Sequence, residues 1–560
     1  MRLEFSCFFF FCVLFLETQG LQLDLNRLSI DEVLNTIASN HTCLEITRYF
    51  LDRIRKHNSK FNAIITVNEF GSVEAASKLD DYYRVHQRLI GKLHCVPTLV
   101  KDNILVNGLP MTLGLGIFAN STCKEDAPAV KRLREEGAVI LGKANMSPMA
   151  MSAPEVPSLT GRVLNPHFIT ESASSSSSGN AAAIAARLCV IGLASDSIDS
   201  ATAPASVTHI VGLRPPVGFF DMSGLFPVRG PSYDVMGLMG LTVKDVCTLL
   251  DVLSPSNDYE QWCGDNRVND QTPLRVGIIE NLTFGFNNSL SERLFVEHYV
   301  LPAFDQFKIK LQRLPNVTVS TLRDNEFVQA YVNATSMFWP AFCSCIHLWI
   351  KKFLDLHALH ARPTGKRMAS ADDILQASFT NFDPPLPPRI CDYLGLSQWY
   401  CVLLVCTRDH FKNCHETQSK TAENLRSVHH LLETTLFEKF DVIVYTRNQF
   451  SLLSTQAFSR DVRQNDIGGL FAYPSLAIPI GFTDTILVRP NSVPIAAYVT
   501  TSPQKFNLMM NLARRYEDVY WDPKMPADTD NKLLDIMTNG ACARHLCCCL
   551  LLWILLRFSF

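Results

Sequence analysis

Apolar residues recur along this chain with two different periods. Ser29-Ile-Asp-Glu32 opens a stretch in which Val33, Leu34 and Ile37 share one side of a helix. A serine followed three residues later by glutamate is an N-terminal capping pattern. Leu44 to Ile54 repeats the helical period, with Arg53, Arg55 and Lys56 near its end, and Ala127–Glu136 predicts another helix stopped by Gly137. Between these lie short continuous apolar runs that read as buried strands: Ala63–Val67, Val96–Val100, Ala138–Leu141 and Leu188–Ala194, then Phe440–Tyr445 and Tyr473–Ile480. Helices alternating with such strands predict an α/β fold, one sheet covered by helices on both faces. No flexible linker or repeat interrupts residues 21–540, so the late strands are expected to complete the sheet that the early ones begin. The proline cluster Asp383-Pro-Pro-Leu-Pro-Pro388 predicts a loop, a candidate boundary with a helical insertion.

The two ends follow other rules. Residues 1–20 combine Arg2, an apolar run from Phe8 to Leu16, and small residues Thr18 and Gly20 placed for cleavage before Leu21. This is the layout of a signal peptide, with an apolar run too short to span a bilayer; an N-terminal anchor is the alternative. Residues 541–560 hold a 15-residue apolar tail broken only by Arg557, preceded by the small residues Asn539, Gly540 and Ala541. That resembles a GPI-attachment signal with a short polar spacer; a tail anchor or a palmitoylated Cys547–Cys549 cluster would equally tether the chain. Glycosylation acceptors at Asn40, Asn120, Asn281, Asn287, Asn316 and Asn333 fit a secretory route to the cell surface. Twelve of the 18 cysteines lie between Cys43 and Cys414, and in an oxidising compartment some of them should pair.

Charge removes one class of function. With 51 basic against 54 acidic residues the chain has no excess of positive charge, which argues against nucleic acid as a partner. At 47% apolar and 19% charged it is a globular sequence.

Candidate chemistry is concentrated in two segments. Glu171-Ser-Ala-Ser-Ser-Ser-Ser-Ser-Gly179 runs directly into the apolar helix Asn180–Arg187. A serine run is usually a solvated linker, but hydroxyl residues entering a helix N-terminus create a polar site with free backbone donors. Downstream, the Leu188–Ala194 strand leads to Ser195-Asp-Ser-Ile-Asp-Ser200 and Pro204. Upstream, Val96–Val100 leads to Lys101. A lysine in that place normally snorkels to solvent; desolvated, it becomes a base. Lysine plus serine is a known pairing of base and nucleophile, so these segments predict an acyl-transfer site.

With these residues in place the sequence resembles the amidase signature family. Pro97 and Lys101 match the family's Pro-x-x-x-Lys; Ser176 stands where the family has its cis-peptide serine, 75 residues after the lysine; and Ser200 stands 24 residues later, four before a proline, where the family has its nucleophile. Leu89–Pro97, Gly142–Ser147, Val211–Pro215, Asp234–Gly237 and Tyr473–Pro479 also match family motifs, most like the branch that includes bacterial peptide amidases. The resemblance implies a single large domain with a mixed, twisted sheet. It implies a relay in which neutral Lys101 takes a proton from Ser176 and Ser176 takes one from Ser200, which attacks an amide carbonyl. Backbone N–H groups of Ser197, Ile198, Asp199 and Ser200 would form the oxyanion hole. Neither metal nor organic cofactor is implied, and the partner is a small-molecule or peptide amide.

The loop departs from the family pattern. Ser175 and Asp199 stand where glycines are usual, Ile198 replaces a small residue, Thr202 occupies a position that some members fill with arginine, and Leu238 and Leu241 replace a proline and an arginine. A glycine at 199 would be suited to a left-handed backbone, which aspartate tolerates better than most residues. Asn145 carries a seventh sequon, but the resemblance places it near the catalytic core, where no glycan fits. Cys343, Cys345, His347, His357 and His360 do not have the spacing of a standard zinc site, and Pro340–Leu359 reads as a buried amphipathic helix. His429 and His430 are expected on a helix surface; Phe219, Phe220 and Phe226 could line an acyl pocket but read first as core. A serine amidase is thus the leading expectation, with an esterase or a catalytically impaired amidase-fold surface protein as alternatives.

Overall fold

The structure is a computed structural model that describes residues 21, 23–150, 157–254, 271–279, 296–322, 346–357, 359–360, 365, 367–370, 373–374, 423, 426–446, 467–482 and 493–520. Ser29 caps helix α1 (Ile30–Ala38), its Oγ accepting from the N–H of Glu32 at 3.1 Å as the sequence pattern requires. Helix α2 (Cys43–Phe61) runs past the expected Ile54, because Thr42 and Glu45 close a capping box at one end and Asn62 takes a left-handed conformation at the other. Strand β1 (Ile64–Val67) and helix α3 (Glu69–His86) follow, then β2 (Pro97–Lys101), α4 (Pro128–Glu135) and β3 (Val139–Ala144). A small hairpin, β4 (Leu164–Asn165) and β5 (Phe168–Ser172), precedes α5 (Ser178–Ala185), β6 (Ile191–Asp196) and α6 (Thr202–Val207). Strands β7 (Val211–Arg214) and β8 (Val235–Gly240) lead to α7 (Val243–Leu253), β9 (Leu274–Ile279), α8 (Leu301–Gln312) and β10 (Val317–Leu322). Helix α9 (Ile346–Leu356), strands β11 (Val442–Tyr445), β12 (Ser475–Phe482) and β13 (Pro494–Thr500), and α10 (Phe506–Tyr520) complete the described chain.

All strands but the hairpin join one sheet of 11, in the order β1-β3-β2-β6-β8-β7-β12-β13-β11-β9-β10. The sheet is mixed: β3, β2 and β6 run parallel, β6 to β11 pair antiparallel, and β11, β9 and β10 are again parallel. Every residue of β2, β3, β6, β7 and β8 is buried, which requires cover on both faces. Helix α5 lies against β2 and β6, α6 against β7, β12 and β13, and α7 against β8. The late strands β11 to β13 do complete the early sheet, and the chain is a single large domain of the expected α/β class. The signal-like residues 1–20, the tail 541–560, the proline cluster and Cys343 and Cys345 lie outside the described residues.

Two close approaches fix the centre. A Cβ on Gly179 would fall 2.2 Å from the Asn145 carbonyl and 2.4 Å from that of Ala63, so only glycine lets α5 start there. Cys43, at the start of α2, is disulfide-bonded to Cys95, two residues ahead of β2, with Cα atoms 5.2 Å apart.

Candidate active site

Parallel pairing of β2 with β6 builds the site. Thr98, Leu99 and Val100 align with Ile191, Gly192 and Leu193, so both strands end at the same edge and place Lys101 beside Ser195 and Asp196. Lys101 is fully buried. Its Nζ lies 2.7 Å from Ser176 Oγ, 2.8 Å from Ser195 Oγ and 3.3 Å from the Ser195 carbonyl. Burial pushes its amine down to about 7, against the opposing pull of Asp196 and Asp234. Ser176 Oγ and Ser200 Oγ are 2.9 Å apart, so an unbroken chain of hydrogen-bond contacts runs from Lys101 to Ser200. The Ser175–Ser176 peptide is cis, with Ser175 in the usual glycine's place.

The serine run is therefore neither linker nor solvated: Ser176, Ser177 and Ser178 are buried. Ser177 N–H donates to the Ser200 carbonyl at 3.1 Å and Ser147 N–H to the Ser176 carbonyl at 3.3 Å, tying the two serine segments to each other and to the loop after β3.

Several residues that hold this site lie outside the lysine and serine segments, with Lys143, Arg214 and Tyr473 falling in the more distant segments Gly142–Ser147, Val211–Pro215 and Tyr473–Pro479. Asn103 Nδ2 donates to Ser195 Oγ at 3.0 Å. Asp196 accepts from Ala201 N–H at 2.6 Å and is paired with Arg214 Nη1 at 2.9 Å, both side chains wholly buried. Arg214 also donates to the Tyr233 and Tyr473 carbonyls, joining β7 to the β12 entry. Beside Lys101 a second buried pair, Lys143 and Asp102, lies 3.4 Å apart. The available sequence signal was the position of Ser195, Asp196 and Arg214 at strand ends. Their mutual contacts follow only from strand order.

Ser197, Ile198, Asp199 and Ser200 form the turn between β6 and α6, with Asp199 and Ser200 half-buried. The left-handed backbone expected at Asp199 is not found: within 171–179 and 195–200 the left-handed residue is Ser174. The aspartate Cβ therefore brings no strain of that kind, and its charge is what distinguishes it from glycine. Ile198 is pressed from behind by Gly469, where a Cβ would coincide with the Ile198 carbonyl at 1.1 Å.

The remaining candidates fall where side-chain size and polarity put them. Asn145 is buried and its amide donates to the Asn62 carbonyl at 2.7 Å and to Thr160 Oγ1 at 3.1 Å, so its sequon is closed in the folded chain. Asn40, Asn120 and Asn316 are exposed, while Asn281, Asn287 and Asn333 lie outside the described residues. Phe226 is core, 5.3 Å from the Phe353 ring, and Phe219 and Phe220 pack edge to face. His430 is exposed as expected; His429 instead turns inward, its Nε2 2.7 Å from the Phe471 carbonyl and its ring against Tyr473. Among the described residues the one group placed to share a metal is Cys43, His94 and Cys95, and its two sulfurs are joined in the disulfide.

A buried lysine and two serines thus stand in hydrogen-bond contact where β2 and β6 end. Residues 45–338 match the family model described as Amidase, and the chain belongs to that family. It is 34% identical over 254 residues to a glutamyl-tRNA(Gln) amidotransferase subunit of Archaeoglobus fulgidus, covering 45% of this chain and 53% of that one. It is 37% identical over 229 residues to the corresponding subunit of Pelodictyon phaeoclathratiforme, covering 41% and 48%. The chain thus spans about half the length of the curated relatives it matches. Among solved structures, native peptide amidase from Stenotrophomonas maltophilia is similar with a TM-score of 0.70 at 19% identity, covering 90% of this chain and 99% of that one. An amidase family protein from Bacillus anthracis reaches 0.69 at 22%, covering 90% and 93%. These likenesses show that the fold is shared.

Proposed function

We propose that the protein hydrolyses carboxamides through an acyl-enzyme on Ser200, with Ser176 as relay and Lys101 as base. The observation that carries this reading is the continuous contact from Lys101 Nζ through Ser176 Oγ to Ser200 Oγ, at 2.7 and 2.9 Å, around an amine held near neutrality by burial. A neutral amine has two N–H bonds and one lone pair. Ser195 Oγ and the Ser195 carbonyl take the two N–H bonds, which leaves the lone pair toward the Ser176 hydroxyl. Ser176 gives its proton to Lys101 and takes that of Ser200, whose oxygen bonds to the amide carbon. The tetrahedral oxyanion lies against the N–H groups of the Ser197–Ser200 turn. Protons then return along the chain to the departing amine, and water repeats the sequence to release the acid. An ester would yield to the same attack. Family membership and the amidotransferase relatives support amide chemistry.

The half-buried Asp199 carboxylate beside Ser200 favours a slow enzyme, since negative charge there opposes the developing oxyanion. Labelling by a fluorophosphonate that reacts with activated serines tests the reading: labelling lost in both Ser200→Ala and Lys101→Ala is expected. A wild-type protein that neither labels nor cleaves any amide or ester would make it a binding protein on an amidase fold.

The protein is further proposed to enter the secretory route and to be held at the cell surface through residues 541–560. The Cys43–Cys95 disulfide and the exposed sequons at Asn40, Asn120 and Asn316 support this.

A further inference from the structure

Ser197 lies three residues before Ser200 and is gripped from one neighbouring segment, residues 228–234. Its hydroxyl donates to Asp234 Oδ1 at 2.6 Å, and its carbonyl accepts from Arg229 Nη1 at 3.2 Å. Asp234 also accepts the backbone N–H groups of Val228 at 2.8 Å, Arg229 at 3.0 and 3.1 Å, and Gly230 at 2.8 Å. One carboxylate therefore shapes the 228–230 turn and holds the loop that carries Ser200. The Arg229 guanidinium lies 3.5 Å from the Tyr233 ring centre, and Ser197, Arg229 and Asp234 are all buried. The far side of the loop is closed by Gly469 against Ile198. Residue 197 is thus fixed by two contacts and residue 198 by a third, which leaves the turn at 198–200 little freedom to shift.

We propose that Asp234 is a positioning residue for the nucleophile loop, holding Ser200 in line through Ser197, and that it places its carboxylate to act on Lys101, which is held beside the same loop by Ser195. This rests on the reading of Lys101 as the base. Among the described residues, Asp196 and Asp234 are the charged groups that act on the lysine. Asp196 on β6 is matched by Arg214 on β7 at 2.9 Å. Asp102 is matched by Lys143 on β3 at 3.4 Å, and Asp199 lies on the loop itself. Asp234 faces Arg229, whose guanidinium also meets the Ser197 carbonyl and the Tyr233 ring, and burial pushes the Asp234 carboxyl above its usual range against the hydrogen bonds it accepts from Ser197 and residues 228–230. Asp234 and Asp196 both favour the protonated amine, so removing either charge makes Lys101 easier to deprotonate. A residue that merely braces the loop would not move that titration.

Two variants separate the roles. Asp234→Asn keeps an acceptor for the loop but removes the charge; Ser197→Ala keeps the charge but removes the tether. With Asp234→Asn, kcat is expected to fall about tenfold or more with KM little changed, as for a misplaced nucleophile. The acid limb of the rate profile should move to lower pH by about half a unit or more. The Lys101 side chain, followed by NMR in carbon-13 lysine-labelled protein and assigned by its absence from Lys101→Met, should titrate lower by the same amount whether or not turnover is measurable. Ser197→Ala should lower kcat without moving the limb, and Ser197→Thr should restore it. An unmoved Lys101 titration in folded Asp234→Asn, or wild-type kcat in Ser197→Ala, overturns the proposal. The second result does so even if Asp234→Asn fails to fold. Wild-type protein without turnover or labelling would overturn the amide-hydrolase reading instead, and the NMR titration would still decide whether Asp234 sets the charge state of Lys101.

Discussion

Lys101 shows how position changes the chemistry of a residue. In solution its amine would be protonated near neutral pH; enclosed at the end of β2 it is pushed down to about 7. Turnover should therefore rise with pH through about 7 and level off above it, and Lys101→Ala should abolish it, as a pH-rate series on any cleaved amide would show. The same shift has a consequence for stability. Between about 7 and 10.5 the unfolded chain binds a proton at this lysine that the folded chain does not, so stability rises with pH across that window. Lys101→Met should remove that rise, and denaturant titrations at pH 7 and pH 9 would detect it. Asp199 is the opposite case, a charge placed where a developing anion is expected. Asp199→Gly should raise turnover about tenfold, close to 1.4 kcal/mol of barrier. Equal rates for the two proteins would show that the aspartate charge is screened from the reaction.

At the scale of elements, the site depends on where β2 and β6 end and on what enters β2. The disulfide from Cys43 to Cys95 ties the first residue of α2 to the approach to β2, across 52 residues of sequence. Cys43→Ser should cost about 2–5 kcal/mol, within the usual span for a native disulfide. It should lower the melting temperature under oxidising conditions while leaving the reduced protein nearly unaffected. His94, beside this disulfide, is pushed down to about 4 by burial and stays neutral near pH 7. Capping patterns such as Ser29 with Glu32 were legible in the sequence because they act within one turn. The full length of α2 was not, because its second half is amphipathic without a strong stop before Asn62.

For the whole molecule, the sheet of 11 strands brings together segments separated by more than 250 residues, as in the Arg214 contact to the Tyr473 carbonyl. Strands read as continuous apolar runs were recognisable because burial on both faces removes any polar alternation. Their neighbours were not, since pairing depends on the path of the chain between them. Destination in the cell is likewise a property of the whole chain. Treatment of cells with phosphatidylinositol-specific phospholipase should release the protein, and glycosidase treatment should lower its apparent mass. Protein that stays bound and carries no glycan would remove the surface-tethered reading.

What the sequence determined by itself was local or matched by spacing. It supplied the α/β alternation, the early helix caps, and the candidate set Lys101, Ser176 and Ser200. Tertiary structure decided which groups surround that set. Ser195, itself bonded by Asn103, holds the lysine, Asp196 is matched by Arg214, and Ser197 is held by Asp234 and Arg229. It also decided that the backbone at Asp199 is not left-handed and that His429 turns inward. The physical reason is the range of each force. Capping and periodicity act over a few residues and leave their mark in the order of amino acids. Desolvation, ion pairing and backbone approach act between residues that become neighbours only when distant strands share a sheet.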